Sequence, residues 1–233
     1  MKKLSLFMIS LLLVSFLLIS CSTPAKLTAD QVLQKLAENS KNLKTGQIKL
    51  EMEMSVAGSS ININSTGVFE NPDKSFLTMD MMGSTIQVLV LSPTEVYTRQ
   101  DESGSWTKSP AAAEAQTGSL YDFTRNPELL LKYYKNAKLL EEKAIPECSA
   151  ACYHLSFELD VSELFNATGD MQSALQNVKF SAPALVELWI DKTDFFTRRQ
   201  ESNFAMEVNG QEVEVEAVIT QTGINQPVTI PSP

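Results

Sequence analysis

Residues 48–56 read Ile-Lys-Leu-Glu-Met-Glu-Met-Ser-Val, an unbroken alternation of apolar and polar side chains. Successive side chains of an extended strand point to opposite faces. This spacing puts Ile48, Leu50, Met52, Met54 and Val56 on one face, and Lys49, Glu51, Glu53 and Ser55 on the other. Wound into a helix, the same residues would spread charge around the whole circumference. The segment therefore predicts a half-buried strand. A strand with one dry and one wet face needs neighbours with the same two-sidedness.

Those neighbours follow at short intervals. Ala57-Gly58-Ser59-Ser60 turns the chain, and Ile61, Ile63, Gly67 and Phe69 continue on the next strand. Asn71-Pro72-Asp73-Lys74 is a turn, followed by Leu77, Met79 and Met81, then Gly83-Ser84, then Ile86, Val88 and Val90. Ser92-Pro93-Thr94 breaks the pattern before Val96-Tyr97-Thr98. Connections this short join antiparallel neighbours. Residues 137–145 and 150–159 also read as strands, the second with Tyr153, Leu155, Phe157 and Leu159 on one face. Leu185 to Ile190 is a further strand. Phe195–Val208 and Glu212–Gln221 form a hairpin closed by Asn209-Gly210, a favoured two-residue turn.

Helices are few. Thr28-Ala29-Asp30-Gln31 fits a capping box, with Val32, Leu33 and Leu36 as the apolar stripe, Lys44 in the last turn and Gly46 just beyond it. Asn126-Pro127 opens a second helix through Leu129, Leu130, Tyr133 and Tyr134. Residues 160–178 form a helical or irregular insertion. Residues 101–118 read as a strand end around Trp106 followed by a mobile loop. The class is mainly β (α+β), with about ten antiparallel strands. A single sheet of that width must curl or be covered, and a helix across its concave face would cover it.

The first 20 residues differ from the rest. Lys2 and Lys3 precede a run from Leu4 to Ile19 that is apolar apart from Ser5, Ser10 and Ser15. This is the layout of a secretory signal peptide, and the run is shorter than the ~20 apolar residues a spanning helix needs. It ends on Leu18-Ile19-Ser20-Cys21, which resembles the signal of bacterial lipoproteins. That resemblance implies a thioether-linked diacylglycerol on Cys21 and cleavage just before it. Residues 1–20 are then a signal peptide, residues 21–27 a lipidated cysteine and tether, and residues 28–233 one domain anchored at the membrane by lipid and lying outside the cytoplasm. Without Lys2 and Lys3 the mature chain has 17 Lys and Arg against 28 Asp and Glu, a net charge of −11. Such a domain repels nucleic acid and does not lie flat on anionic headgroups.

With Cys21 acylated, Cys148 and Cys152 remain. Four residues of continuous strand span ~13 Å, whereas a disulfide wants Cα atoms within ~7 Å. Pro146 and Ser149-Ala150-Ala151 permit a tight bend. Outside the cytoplasm that bend predicts a disulfide between Cys148 and Cys152, the alternative being two free thiols.

The arrangement resembles the LolA-like superfamily, and most closely its LppX/LprAFG-type lipoproteins. The resemblance is carried by the leading "TADQVLQKLAENSKNLKTGQIKLEMEM", by Trp106 after the "VYTR" strand, by "VELWIDKTDFFTRRQES" and by the closing "GINQPVTIPSP". It implies an open half-barrel of antiparallel strands, with helices closing its mouth over an apolar cavity that binds lipid or lipoprotein acyl chains. Soluble carriers of the superfamily carry no lipid of their own, so Cys21 points to the membrane-anchored branch.

Independently of the resemblance, four methionines stand among the Ile and Val of the first strands. Met is adaptable and suits surfaces that take varied apolar partners, although it also fills ordinary cores. The expected cavity wall is Ile48, Leu50, Met52, Met54, Ile61, Ile63, Met79, Met81, Ile86 and Val88. Enzyme chemistry finds little support. His154 is the only histidine and falls on the face opposite Tyr153, Leu155 and Phe157, towards solvent. No G-x-S-x-G elbow occurs, one imidazole disfavours zinc, and Asp191-Lys192-Thr193 reads as a turn. The expectation is no enzyme, no cofactor and no metal. Two functions stay open: a lipid or acyl-chain carrier of the bacterial envelope, or a filled scaffold or sensor that binds an envelope protein partner.

Overall fold

The computed structural model describes residues 26–92, 94–109, 127–142, 144–148, 151–168 and 178–233. The expected signal peptide, Cys21 and the loop beyond Ser109 lie outside these residues, as does Asn126.

Helix α1 (Ala29–Ser40) begins as its sequence dictates. The Thr28 hydroxyl accepts from the Gln31 amide at 3.2 Å, and the Gln31 side chain accepts from the Thr28 amide at 2.9 Å. This satisfies two of the amides that a helix start leaves without partners. The helix ends at Ser40, four residues before the expected last turn, and Gly46 belongs to the first strand. There a Cβ would lie 2.7 Å from the Phe69 ring, so the glycine makes room for a buried aromatic.

Among the described residues, twelve strands form one antiparallel sheet. The first five are β1 (Thr45–Val56), β2 (Ser59–Glu70), β3 (Lys74–Met81), β4 (Ser84–Ser92) and β5 (Glu95–Gln100). After β6 (Thr107–Lys108) and α2 (Pro127–Tyr133) come β7 (Tyr134–Leu139), β8 (Cys152–Leu159), α3 (Val161–Thr168) and β9 (Val178–Phe180). The chain closes with β10 (Ala184–Asp191), β11 (Thr197–Val208) and β12 (Gln211–Thr222). The spatial order is β6-β5-β4-β3-β2-β1-β12-β11-β10-β8-β7, with β9 on the far end of β11. The sheet does not close into a barrel; it is an open half-barrel, the architecture expected.

Some boundaries differ from the reading of the sequence. The strand expected over 137–145 runs from Tyr134 to Leu139 instead. Tyr134 leaves the helix because it pairs with Leu159, sets its ring edge-on to Phe157 and donates its hydroxyl to Asp30 at 2.8 Å. Burial and the Asp30 carboxylate together push the Tyr134 pKa up. Beyond Leu139, exposed Glu141 and Glu142 and the missing amide of Pro146 stop the ladder. Strand β9 falls partly within the segment expected to be an insertion. Phe195 sits in the turn before β11, with φ of +57°, rather than in the strand. Asp191-Lys192-Thr193 is at a turn, as expected, and Asp191 accepts the Thr193 amide at 2.8 Å.

Two large clusters dominate the core on one face of the sheet, beside a small one of Leu43, Phe69 and Phe196. Val32, Leu33 and Leu36 of α1 pack with Leu155 and Phe157 of β8, Val186, Leu188 and Ile190 of β10, and Leu164 of α3. A second cluster joins Ile48 and Leu50 to Leu77, Val88, Val96 and Ile219. One continuous rung links the two, running Ile86–Met79–Ser65–Leu50–Ile219–Gln200–Leu188–Leu155. Helix α1 covers the β8–β10 end of that face. Cys148 and Cys152 are joined across the turn before β8, with Cα atoms 6.2 Å apart.

Two outcomes test these features. A Cβ at Gly67 would come within 2.3 Å of the Phe76 carbonyl and 2.5 Å of a Leu77 methyl. Gly67→Ala is expected to lower the urea-unfolding free energy by about 1–3 kcal/mol, as overpacking does. Unchanged stability would show that β2 and β3 are not this close. Cys148 and Cys152 are expected to resist alkylation in the folded, air-purified protein until reductant is added. Immediate labelling of both would count against the bond.

Candidate functional site

The inner face of the sheet carries no Asp, Glu, Lys or Arg on β1 to β4 or on β12. Its positions are Ile48, Leu50, Met52, Met54 and Val56 on β1, and Ile61, Ile63, Ser65, Gly67 and Phe69 on β2. Ser75, Leu77, Met79 and Met81 follow on β3, then Ser84, Ile86, Val88 and Val90 on β4. On the other side stand Val213, Val215, Ala217, Ile219 and Gln221 of β12, and Gln200, Ser202, Phe204 and Met206 of β11. Lys49, Glu51, Glu53, Lys74, Asp80, Glu201, Glu207, Glu212, Glu214 and Glu216 all take the alternate positions. A chain with net charge −9 thus keeps one broad surface free of ionisable groups.

Burial along that face is graded. At the end where β1 starts, Ile48, Leu50, Leu77, Val88 and Ile219 are fully packed. Met52, Met79, Ile86 and Ala217 touch that cluster but are only partly buried. Met54, Ile61 and Ile63 are half-buried, and Met81 is 39% exposed. The ten residues expected to form one wall do share one face. Ile48, Leu50 and Val88 form its packed floor. Met52, Met54, Ile61, Ile63, Met79, Met81 and Ile86 form the accessible part, at the end that carries the hairpin tips. The rung Met81–Ile63–Met52–Ala217–Ser202 crosses it, and Met54 faces both Ile61 and Val215.

The contributions of β11 and β12 were missing from the expected wall. Val213, Val215, Ala217 and Ile219 alternate as clearly as β1 does. Their pairing with β1, more than 150 residues earlier, leaves no mark in local spacing.

A second concavity lies at the other end of the sheet, beside the start of α1. This cleft of about 1000 Å³ is lined by Lys26, Leu27, Leu139, Leu140, Glu141, Glu142 and Tyr153. Lys192 pairs with Glu142 and sits 5.2 Å from the centre of the Tyr153 ring. A hydrogen bond from Lys192 holds the Glu142 carboxyl below its ordinary pKa.

The outer face holds one correction. His154 does not face open solvent. Its ring stacks on Trp189 at 4.3 Å and its Nε2 lies 2.7 Å from Glu187, with 13% of the side chain exposed. The cause is register, since Trp189 is its cross-strand partner. Arg199 lies beyond Trp189, 5.8 Å from the ring centre, and pairs with Glu201. Among the described residues no group of three or more His, Cys, Asp or Glu side chains could hold a metal ion. Likewise, none of the described helices is long and apolar enough to cross a membrane.

Comparison with known proteins adds to this geometry. LprF from Mycobacterium bovis superposes with a TM-score of 0.50 at 15% identity, over 88% of this chain and 96% of that one. A LolA superfamily protein from Nitrosomonas europaea matches over 88% of this chain and 96% of its own, with 12% identity and a TM-score of 0.34. The MucA/MucB complex of Pseudomonas aeruginosa matches over 88% of this chain and 61% of that one, with 12% identity and a TM-score of 0.38. No curated protein matches in sequence. The half-barrel is a LolA-like fold, and the family model matching residues 28–226 shows that the chain belongs to DUF6612, a family of unknown function.

Proposed function

We propose that this protein is a membrane-anchored lipoprotein of the bacterial envelope whose half-barrel binds lipid or acyl chains. The observation that carries the reading is the segregation of charge. Every ionisable side chain of β1 to β4 and β12 lies on the outer face, and the accessible inner surface is lined by Met52, Met54, Ile61, Ile63, Met79 and Met81. Such a surface offers an acyl chain dispersion contacts and removal from water, and burying each CH₂ contributes ~0.8 kcal/mol. It offers a charged small molecule nothing to pair with. The LolA-like fold supports this reading, and so does the Leu-Ile-Ser-Cys boundary at residues 18–21, which would tether the domain through acylated Cys21. The Lys2–Ile19 layout would send it across the membrane first.

A second reading has its own observation. Ile48, Leu50, Leu77 and Val88 already pack against one another, so the face is filled at one end. A half-barrel filled throughout would be a scaffold or sensor for a protein partner.

Met52→Glu separates the two. Met52 is only half-buried. At an open wall its carboxylate stays hydrated when no ligand is present. The variant should then melt within a few degrees of wild type and lose co-purifying lipid in native mass spectrometry. In a closed core the same charge costs several kcal/mol, by the ~2–7 kcal/mol range for unpaired buried polar groups and beyond. Collapse of the melting transition, with no lipid on the wild type, would decide for the scaffold. For the anchor, Cys21→Ala is expected to leave an unprocessed precursor that incorporates no labelled palmitate. Normal processing and acylation of that variant would overturn the lipoprotein reading.

A further inference from the structure

Three hairpin tips project from the same end of the half-barrel: Ala57-Gly58, Met82-Gly83 and Asn209-Gly210. In each, both residues have positive φ, at +48° and +82°, +52° and +82°, and +52° and +80°. These are type I′ turns, whose first position favours Asn, Asp or Gly. Asn209 follows that preference and Ala57 is at least small. Met82 does neither. It is a long apolar side chain held in a disfavoured backbone conformation, and it is 78% exposed. A Cβ on any of the three turn glycines would meet nothing within 4 Å, so no other described residue crowds the turns there. Folding does not need methionine at this position, and turn geometry argues against it.

Met82 is also not isolated. Met81 beside it is 39% exposed and faces the inner surface, where Ile63 and Met52 continue the same rung. An apolar track thus runs from the solvent-exposed tip into the half-barrel. We infer that the Met81-Met82 tip enters the surface of a lipid bilayer and forms the port through which an acyl chain passes to the inner face. The role as a port rests on the acyl-binding reading above; the contact itself does not.

The occupant follows from size and charge. Two methionines are far too little for a stable protein interface, which buries at least ~1,000 Å², whereas a bilayer accepts a shallow apolar insertion of any area. The charges flanking the tip are Asp80, whose carboxylate accepts from Thr85 at 2.6 Å, and Asp101 and Glu102 after β5, where the Asp101 amide donates to the Thr85 carbonyl. Ser103 holds the Asp101 carboxyl below its ordinary pKa, so it stays ionised. Carboxylates beside the tip disfavour anionic headgroups and leave a zwitterionic surface. The chain enters the domain at Lys26, beside Tyr153 and the opposite strand ends. The 12 residues of β11 span ~36 Å from that end to the tips. The five chain steps from Cys21 to Lys26 reach at most ~18 Å. Held upright by an anchor at Cys21, the domain would point Met82 at a second lipid surface.

The test uses the mature, anchored chain in phosphatidylcholine vesicles. A nitroxide is attached through Met82→Cys, or through Ala57→Cys and Asn209→Cys as controls. The label at 82 should be more accessible to oxygen than to a water-soluble nickel complex, while those at 57 and 209 show the reverse. If the immersion is lost on dilution of the vesicles, the contact is with a second membrane; if it persists, it is with the anchoring one. Either supports the inference, and added phosphatidylglycerol should weaken it. A label at 82 as water-accessible as those at 57 and 209 overturns it. Met82→Asn, which suits the turn, should melt no lower than wild type yet pick up lipid from vesicles more slowly; unchanged pickup removes the port. If the wild type retains no lipid at all, the acyl-binding reading fails, and the nitroxide result alone decides the contact.

Discussion

The pairing of β1 on both its edges is the constraint on which the rest depends. It runs against β2 from Thr45↔Glu70 to Val56↔Ser59, and against β12 from Gln47↔Thr222 to Val56↔Val213. A slip of one residue on either side would turn Lys49, Glu51 and Glu53 into the apolar face, and Ile48, Leu50 and Met52 into water. Burying three unpaired charges costs far more than any gain from strand pairing. The alternation therefore fixes the register of three strands at once, and through β2 and β12 that of β3 and β11. The single-face character of the sheet propagates outward from this one element.

Most of this was legible from residues alone because period and turn chemistry are local. The five leading strands, the capping box at Thr28 and the Asn209-Gly210 hairpin were all readable. What escaped depended on distant partners. Tyr134 looks like a helix residue until Leu159, Phe157 and Asp30 are placed around it. His154 looks exposed until Trp189 is set beside it. Gly46 looks like a helix terminator, yet it is a strand residue that admits the Phe69 ring. The inner wall was half legible: its β1 to β4 side follows from alternation, whereas the β11 and β12 side needed the closing pair. No spacing rule distinguishes the packed floor from the accessible rim, since Leu50 and Met52 occupy equivalent positions in the pattern.

Helix α1 explains why the face divides as it does. Its stripe of Val32, Leu33 and Leu36 is spent on β8 and β10, where Leu155, Phe157, Val186 and Leu188 are almost wholly buried. It lies over the β7, β8 and β10 side of the sheet and also meets α2. The second cluster is packed by the curl of β1 to β5 and β12 upon itself. Curling closes the end where β1 begins, because Gly46 and Gly67 let Phe69 and Leu77 approach the backbone. Towards the hairpin tips no such glycines stand on the inner face, and the side chains remain partly in water.

The residue types follow that division, and they bear on what such a site can recognise. The floor uses Ile48, Leu50, Leu77, Val88, Val96 and Ile219, mostly branched side chains with few rotamers that hold one packing. The rim uses Met52, Met54, Met79 and Met81, which are unbranched and keep their rotamer freedom while half-exposed. On the proposed reading, a rigid floor would fix the depth of the surface, and a pliant rim would let acyl chains of differing length and branching make comparable contact. Apolar contacts of this kind discriminate poorly between acyl chains, since one methylene contributes only ~0.8 kcal/mol. Discrimination needs polar groups, and the inner face has few. Among them, Gln200 donates to Ser202 at 3.1 Å on β11, on rungs shared with Leu50 and Met52. Any preference for one lipid class over another at this surface would have to be written in such groups, which also include Ser65, Ser75, Ser84 and Gln221.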